Sequence, residues 1–178
     1  MESESITAYV GIGSNLGDRA GNLLLAVRGL MEASFVVNKL SAIYETEPVD
    51  LEDAPIFLNM VAEIRAESIT PTQMLARMLR IEYLLERTDK SLKKPRTIDL
   101  DLLFYNHEQT DTPFLTVPHP RAHLRRFVLV PMNEVAPTYT HPVFHKDMST
   151  LLVECEDTSQ VARWNPNAGS GLHSSSNG

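Results

Sequence analysis

Alternating apolar and polar positions divide the first part of the chain into a strand, a helix and two further strands. Residues 6–12 are apolar and rich in β-branched side chains, which predicts a first strand, and a glycine-rich turn follows at 13–18. Asp18 can cap a helix in which apolar residues then recur at helical spacing. Two later apolar stretches, 36–46 and 57–64, predict the second and third strands.

The middle of the chain adds another helix and another strand. Thr70 and Gln73 form a capping-box pattern with proline at the first helical position, which predicts the start of a helix. The run 95–104 predicts a strand that ends before a hairpin-like turn near Asn106. The order strand, helix, strand, strand, helix, strand is typical of a ferredoxin-like α+β sandwich. We therefore expect a mostly antiparallel sheet with helices packed on one face.

The rest of the chain carries weaker signals. An apolar run at 127–132 has no assigned element type, and 143–152 weakly indicates a further short strand and helix. The glycine-, serine- and asparagine-rich stretch 165–178 is expected to be disordered. A length of 178 residues suits one well-packed domain, which we predict to span residues 1–164.

Composition and charge favour a cytoplasmic, monomeric domain that binds small molecules. No apolar stretch is long enough to cross a bilayer, the first residues are polar and acidic, and the single Cys155 cannot form an intramolecular disulfide. A net charge of −7 argues against a nucleic-acid partner. Eight of the sixteen lysines and arginines nevertheless lie within 87–96 and 121–126, a local concentration that suits a compact polyanion.

Asp99 and Asp101 are the residues that most directly indicate chemistry. Positions two apart in a strand share one face, with Cα atoms about 6.6 Å apart, so both carboxylates point the same way. Two like charges this close favour an intervening hard cation, or a pair of them, bound through oxygen. Arg96 adds a forked donor suited to phosphate, and the combination indicates phosphoryl transfer. A half-buried strand whose aspartates are merely balanced by nearby lysines stays open as the alternative.

Glu82 and His119 are polar residues in unusual settings. Glu82 falls on the apolar stripe of the second helix, where a carboxylate needs a partner. The partner is either a nearby arginine at a helix end or a group in a functional site. His119 follows Thr116 and precedes Arg125, and these residues together offer donors appropriate to phosphate oxygens.

The glycine pattern at Gly11, Gly13 and Gly17 does not indicate a dinucleotide-binding fold. The spacing is one residue longer than the fingerprint, and the chain lacks the alternating strand and helix units of a doubly wound sheet. No phosphate-binding loop of the G-x-x-x-x-G-K-[ST] type occurs in the sequence. A nucleotide would therefore be held by side chains and metal.

These motifs together resemble the 6-hydroxymethyl-7,8-dihydropterin pyrophosphokinase family of folate biosynthesis. The resemblance covers roughly residues 6–160. The matching segments are GIGSNLGD at 11–18, YETEP at 44–48, FLN at 57–59, RIE at 80–82, PRTIDLD at 95–101 and LTVPHPR at 115–121, with Arg125 and Phe127. The resemblance implies that the β,γ-diphosphate of ATP passes as one unit to the pterin hydroxymethyl oxygen, releasing AMP. It also implies that two Mg²⁺ ions take part.

The resemblance assigns roles to individual positions in this chain. The implied metal ligands are Asp99 and Asp101, and the implied catalytic residues are Arg87, Arg96, Asp99 and Asp101. The implied nucleotide-binding residues are Glu82, Arg87, Lys90, Arg96, Leu102, Leu115, Thr116, His119 and Arg125. The implied pterin-binding residues are Thr46, Pro48, Val49, Phe57, Asn59, Asp99 and Phe127.

The charged segment 88–94, which would form a water-excluding lid, departs from the family pattern. The family has a tryptophan before the Gly-Pro-Arg of this lid, and the corresponding positions here are Lys93 and Lys94. Asp89 replaces a second arginine. We expect these changes to affect how the lid holds ATP and to leave the metal site intact. Two other functions stay open: a different Mg²⁺-dependent phosphotransferase or phosphohydrolase, and a ligand-binding relative with little or no turnover.

Overall fold

The computed structural model describes residues 4–47, 56–87 and 98–167, with the side chain of Arg87 excepted. The strands within these ranges are β1 (Ser5–Ser14), β2 (Val36–Leu40), β3 (Tyr44–Thr46), β4 (Phe57–Glu67), β5 (Ile98–Tyr105), β6 (Thr110–Asp111), β7 (Thr116–Val117) and β8 (Val161–Arg163). The helices are α1 (Arg19–Glu32), α2 (Pro71–Arg87), α3 (Arg126–Val135) and α4 (Met148–Glu154), with a 3-10 turn at Ala122–Leu124.

The main sheet has the strand order β5-β1-β4-β3-β8, and β2 also pairs with β4. Every pairing is antiparallel. The order of elements and of strands confirms the predicted ferredoxin-like architecture. β8 was not predicted, and it extends the sheet beyond β3.

The prediction of one continuous strand over 36–46 is wrong, because the chain leaves the ladder between β2 and β3. The backbone N–H of Ser41 donates to the carbonyl of Val61 at 2.9 Å, and the Ser41 hydroxyl accepts from the N–H of Val61 at 2.9 Å. The N–H of Ala42 then donates to Glu134 at 2.9 Å. These bonds replace the regular ladder and let the strand bend.

The sheet is covered by helices on both faces, so the prediction of helices on one face is wrong. α1 and α2 pack on the face that carries Ile12, Leu58 and Leu100. α3 and α4 pack on the opposite face, against Val61 and Phe104 among others. The apolar run at 127–132 lies in α3, whose buried residues are Val128, Leu129, Pro131, Met132 and Val135.

The later part of the chain agrees with only some of the predictions. The turn at Asn106 is present, with a φ of 45°, but β5 does not continue into a hairpin because β6 pairs with β7. The helix predicted within 143–152 is α4, whereas the accompanying strand is absent from that described stretch. The loop 47–55 beyond Glu47 and the segment 88–97 lie outside the described residues, as does 168–178. No helix in the described part of the chain has the length and hydropathy to cross a bilayer.

Candidate active site

A cavity of about 310 Å³ opens on the α3 face of the sheet, at the end where β3 stops and β4 begins. Gly13 of β1 lies opposite Asn59 of β4 on one side and Asp99 of β5 on the other. One step along, Gly11 lies between Val61 and Asp101 in the same way. The two glycines leave room above the centre of the sheet, so the cavity reaches the backbone. Its full lining is Gly11, Ile12, Gly13, Thr46, Glu47, Phe57, Asn59, Met60, Val61, Asp99, Asp101, Arg125, Phe127 and Val128.

Asp99 and Asp101 both line this cavity, as the two-residue period of a strand predicts. Their neighbours Ile98, Leu100 and Leu102 pack into the core on the opposite face. The pKa of the Asp99 carboxyl is raised, first by partial loss of solvent and then by the charges of Asp101 and Glu86. Extra positive charge would therefore be stabilised beside this pair.

The acidic pair fits a cation that draws its other ligands from elsewhere. Within residues 4–47, 56–87 and 98–167, no three or more His, Cys, Asp or Glu side chains come together as a metal site. Two carboxylates suit a hard ion such as Mg²⁺, which is usually held by one or two protein carboxylates together with water and substrate phosphates. The residues present thus fit a substrate-bound Mg²⁺ better than a metal enclosed by protein.

Glu82 connects α2 to the strand that carries the aspartates. Its Oε1 accepts a hydrogen bond from the backbone N–H of Leu100 at 2.7 Å, and Leu100 lies between Asp99 and Asp101 in the chain. Burial raises the pKa of Glu82, this hydrogen bond opposes the rise, and the two aspartate charges add to it. The partner expected for this inward carboxylate therefore includes a backbone group. Its relation to the side chains of Arg87 and Arg96 lies outside the described residues.

His119 is held beside the acidic pair by backbone hydrogen bonds. Its N–H donates to the carbonyl of Leu103 at 2.8 Å, at the irregularity where β5 shifts register against β1. Its Nδ1 accepts from the N–H of Arg121 at 3.1 Å, so a neutral ring carries its proton on Nε2. Burial lowers the pKa of His119; the charge of Asp101 opposes this shift, and those of Arg125 and Arg121 add to it.

The other end of the cavity is aromatic and amide-lined. Phe57 at the start of β4 and Phe127 in the first turn of α3 both contribute to its lining. The side-chain amide of Asn59 donates to the hydroxyl of Thr46 at 2.7 Å, and Thr46 is 2% exposed. The guanidinium of Arg125 lies 5.5 Å from the centre of the Phe127 ring. The cavity thus joins an apolar slot to a charged end.

The structure describes the side chains of twelve of the seventeen site residues predicted from the sequence. Seven of these twelve line the cavity: Thr46, Phe57, Asn59, Asp99, Asp101, Arg125 and Phe127. Leu102 and Leu115 pack in the core, whereas Thr116 and His119 line a neighbouring depression of about 320 Å³. The hydroxyl of Thr116 donates to Asp111 at 3.1 Å. Pro48, Val49, Lys90 and Arg96, and the side chain of Arg87, lie outside the described residues.

Gly11 and Gly13 line the cavity but were not among the site residues predicted from the sequence. They belong to the segment 11–18 that matches the family, but the only binding role considered for them was a dinucleotide fingerprint, which their spacing argues against. The signal available was their position inside a strand, since a glycine there often marks a close approach of backbone to ligand. Five further lining residues were not predicted, and their side chains carry no comparable signal in the sequence: Ile12, Glu47, Met60, Val61 and Val128.

Comparisons with known proteins identify the family. The family model for 7,8-dihydro-6-hydroxymethylpterin-pyrophosphokinase (HPPK) matches residues 9–137. A 2-amino-4-hydroxy-6-hydroxymethyldihydropteridine pyrophosphokinase of Bacillus subtilis is 46% identical over 129 residues, which is 72% of this chain and 77% of the relative. The protein of the same name from Aquifex aeolicus is 34% identical over 148 residues, covering 83% of this chain and 91% of the relative.

Solved structures agree on the fold. The chain superposes with a TM-score of 0.70 on a Plasmodium falciparum HPPK-DHPS, at 16% identity over 86% of this chain. The match covers 44% of that longer chain. An identity this low supports the fold alone, whereas the family assignment rests on the family model and the sequence relatives. The chain belongs to the 7,8-dihydro-6-hydroxymethylpterin-pyrophosphokinase family.

Proposed function

We propose that this chain carries out the reaction of its family in the cavity between β1, β4, β5 and α3. That reaction transfers the β,γ-diphosphate of ATP to the hydroxymethyl group of 6-hydroxymethyl-7,8-dihydropterin, giving AMP and the pterin diphosphate in folate biosynthesis. The chain is a transferase of diphosphate groups, as its family and its named relatives are. The observation that carries the proposal is the meeting of two carboxylates and an aromatic, amide-lined slot in one cavity.

The acidic end of the cavity suits the triphosphate. Asp99 and Asp101 would hold Mg²⁺, and the ion would supply positive charge beside the triphosphate. Burial, followed by the charges of Asp101 and Glu86, raises the pKa of Asp99, and a bound cation would offset these effects, which supports this assignment. His119 and Arg125 would donate hydrogen bonds to phosphate oxygens from the side of Asp101.

The aromatic end suits the pterin. A flat bicyclic ring gains most when aromatic side chains contact it, as Phe57 and Phe127 would do. Asn59 and Thr46 would hydrogen-bond the polar edge of the ring, because their mutual 2.7 Å bond already orients both side chains at the cavity. This arrangement would place the hydroxymethyl group towards the two aspartates, so that positioning supplies much of the catalysis.

The remaining residue assignments rest on the family resemblance alone. Arg87, Lys90 and Arg96 would bind the transferring and leaving phosphates, and Glu82, Leu102, Leu115 and Thr116 would border the nucleotide. Pro48 and Val49 would contact the pterin. We also propose that residues 1–164 form a single domain that acts as a monomer in the cytoplasm. A net charge of −7 supports small-molecule partners rather than nucleic acid.

One assay tests the proposed function: purified protein, ATP, Mg²⁺ and 6-hydroxymethyl-7,8-dihydropterin, with the nucleotide products separated. AMP formation that requires the pterin is expected. ADP or free phosphate would instead indicate another phosphotransferase or phosphohydrolase. Ligand binding without any nucleotide product would indicate a relative that has lost turnover.

A pair of charge-removing variants tests the metal assignment. Asp99→Asn and Asp99→Ala are expected to abolish turnover and to leave the fold intact, because the metal loses a carboxylate ligand. The matched control is Glu108→Gln, which removes a charge from the exposed turn after the same strand. Near-normal turnover in the Asp99 variants would contradict the placement of Mg²⁺.

A further inference from the structure

Arg19, the first residue of α1, contacts β3 and the residue just before β4 at the aromatic end of the cavity, without lining the cavity itself. Its Nη1 donates to the carbonyl oxygen of Ile56 at 2.7 Å, and its Nη2 lies 3.7 Å from Oε1 of Glu45. The side chain of Glu45 is 7% exposed and that of Arg19 is 28% exposed. A carboxylate buried to this extent depends on its cation, because removing one partner of a buried pair leaves an uncompensated charge.

Each partner of Arg19 is next in the chain to a cavity residue. Glu45 precedes Thr46 in β3, and Ile56 precedes Phe57 at the start of β4. Thr46 and Phe57 are themselves paired across the two strands. The position of the Arg19 guanidinium therefore constrains the two side chains proposed to contact the pterin.

The start of α1 is firmly attached to β1, which forms the floor of the cavity. The Asn22 side chain donates to the hydroxyl of Ser14 at 3.1 Å and to the carbonyl of Leu16 at 3.0 Å. Asp18 caps the helix by accepting from the N–H of Gly21 at 3.0 Å. Arg19 thus links the end of β3 and the start of β4 to the first turn of α1, which is held on β1, the strand that contains Gly11 and Gly13.

We propose that Arg19 is a positioning residue for the pterin, acting through Glu45 and Ile56 to set the distance between Thr46 and Phe57 on one side and the cavity floor on the other. This inference rests on the proposed function of the cavity. Without the guanidinium, the Glu45 carboxylate must reach water, and the end of β3 moves with it. The Asn59–Thr46 hydrogen bond then loses its geometry, while the acidic pair on β5 stays in place.

A purely structural role makes a different prediction. Loss of a buried ion pair that only stabilises the fold would lower the melting temperature and leave the two substrates' affinities unchanged or weakened alike. If Arg19 has a positioning role, its loss weakens binding of the pterin and leaves binding of the nucleotide unchanged. The comparison of two dissociation constants therefore separates the two roles.

The test compares Arg19→Met with Arg28→Met in the full chain. Arg28 is the matched control, because it lies on the same helix and pairs with Glu32 at 2.7 Å on the exposed surface. We expect Arg19→Met to raise the dissociation constant for 6-hydroxymethylpterin about tenfold, the effect of losing one hydrogen bond between the pterin and Thr46 or Asn59. The dissociation constant for a non-hydrolysable ATP analogue, measured in the presence of Mg²⁺, should change by less than about twofold. Arg28→Met should change neither.

A second variant tests the physical cause. Adding Glu45→Gln to Arg19→Met removes the uncompensated charge, so the double variant is expected to bind the pterin more tightly than Arg19→Met. The proposal is overturned if the double variant binds no better, if Arg19→Met behaves like Arg28→Met, or if it weakens both ligands equally.

Hydrogen exchange separates this proposal from the proposed function. Backbone amides of β3 and of Phe57 in the ligand-free protein should exchange faster in Arg19→Met than in wild type or Arg28→Met. Unchanged exchange overturns the link between Arg19 and these strands, whatever the enzyme does. If wild type failed to bind pterin while the exchange changed as expected, the proposed function would fail and the link would stand.

Discussion

The close approach of Gly13 to the side chain of Asn59 in the floor of the cavity allows a direct test of the pterin site. A Cβ atom added at Gly13 would lie 2.7 Å from Oδ1 of Asn59, well inside the C···O contact distance of about 3.3–3.6 Å. The obstructing atom is the end of a side chain, so Gly13→Ala is accommodated by moving the Asn59 amide. That movement of about 0.6–0.9 Å breaks the 2.7 Å hydrogen bond from Asn59 to Thr46.

The magnitude follows from the hydrogen bonds that this movement removes. The bond that Asn59 would make to the pterin is worth about 0.5–1.5 kcal/mol, so the pterin affinity of Gly13→Ala should fall by about 2- to 13-fold. The bond from Asn59 to Thr46 is lost in the ligand-free protein as well, so its loss lowers the free energy of unfolding by about 0.5–1.5 kcal/mol. The net change in that free energy should stay below about 1 kcal/mol, because alanine in extended backbone restricts the unfolded chain and offsets the loss.

Gly11→Ala is the matched control for this test. It adds the same atom to the same strand, and its Cβ would meet only ordinary contacts with the Leu103 side chain, the nearest at 3.6 Å. Pterin titration by calorimetry and urea unfolding of both variants check the two predictions. Equal loss of affinity in both variants would refute the reasoning, because filling the cavity would then explain the effect without any displacement of Asn59.

Two further predictions concern Glu82 and His141. Glu82→Ala removes the carboxylate that accepts from the Leu100 N–H at 2.7 Å, so it should lower the free energy of unfolding by about 1–3 kcal/mol. Glu82→Gln keeps an acceptor and should lose less, so equal losses for the two variants in urea unfolding would contradict the role of this hydrogen bond. The pKa of buried His141 is lowered from 6.5 to about 4, chiefly by burial. The unfolded chain binds this proton more tightly, so stability should fall by about 3 kcal/mol as the pH drops from 7 to 4. His141→Asn should show a shallower pH dependence, and an unchanged slope would exclude His141 as its source.

Local sequence signals determined those parts of the protein that depend on near neighbours. The capping box at Thr70 is present in both directions: the Thr70 N–H donates to Gln73 at 2.9 Å and the Gln73 N–H donates to Thr70 at 3.2 Å. Asp99 and Asp101 line one cavity because side chains alternate along a strand. The element order was sufficient for the ferredoxin-like fold, because antiparallel neighbours with short connections allow few alternatives.

The family motifs also allowed residues far apart in the chain to be predicted as parts of one site. Thr46, Asn59, Asp99 and Phe127 were predicted as one site from the resemblance, and they meet in the cavity. Composition and periodicity alone could not join them, because none of these residues is close in sequence to more than one other. Asn59 and Asp99 meet because β1 pairs with both β4 and β5, Thr46 joins them because β3 pairs with β4, and Phe127 reaches them from α3.

Long-range packing decided the remaining features. The split between β2 and β3 depends on Ser41 bonding to Val61, twenty residues away, and the placement of α3 depends on which sheet face it covers. Arg19 likewise contacts Glu45, which is 26 positions away in the chain, and Ile56, which is 37 positions away. The local sequence determines hydrogen bonds and periodicities within a few residues. Contacts between residues far apart in the chain form only when the sheet and its helices pack together, because a short stretch of sequence does not contain the residues that will become neighbours.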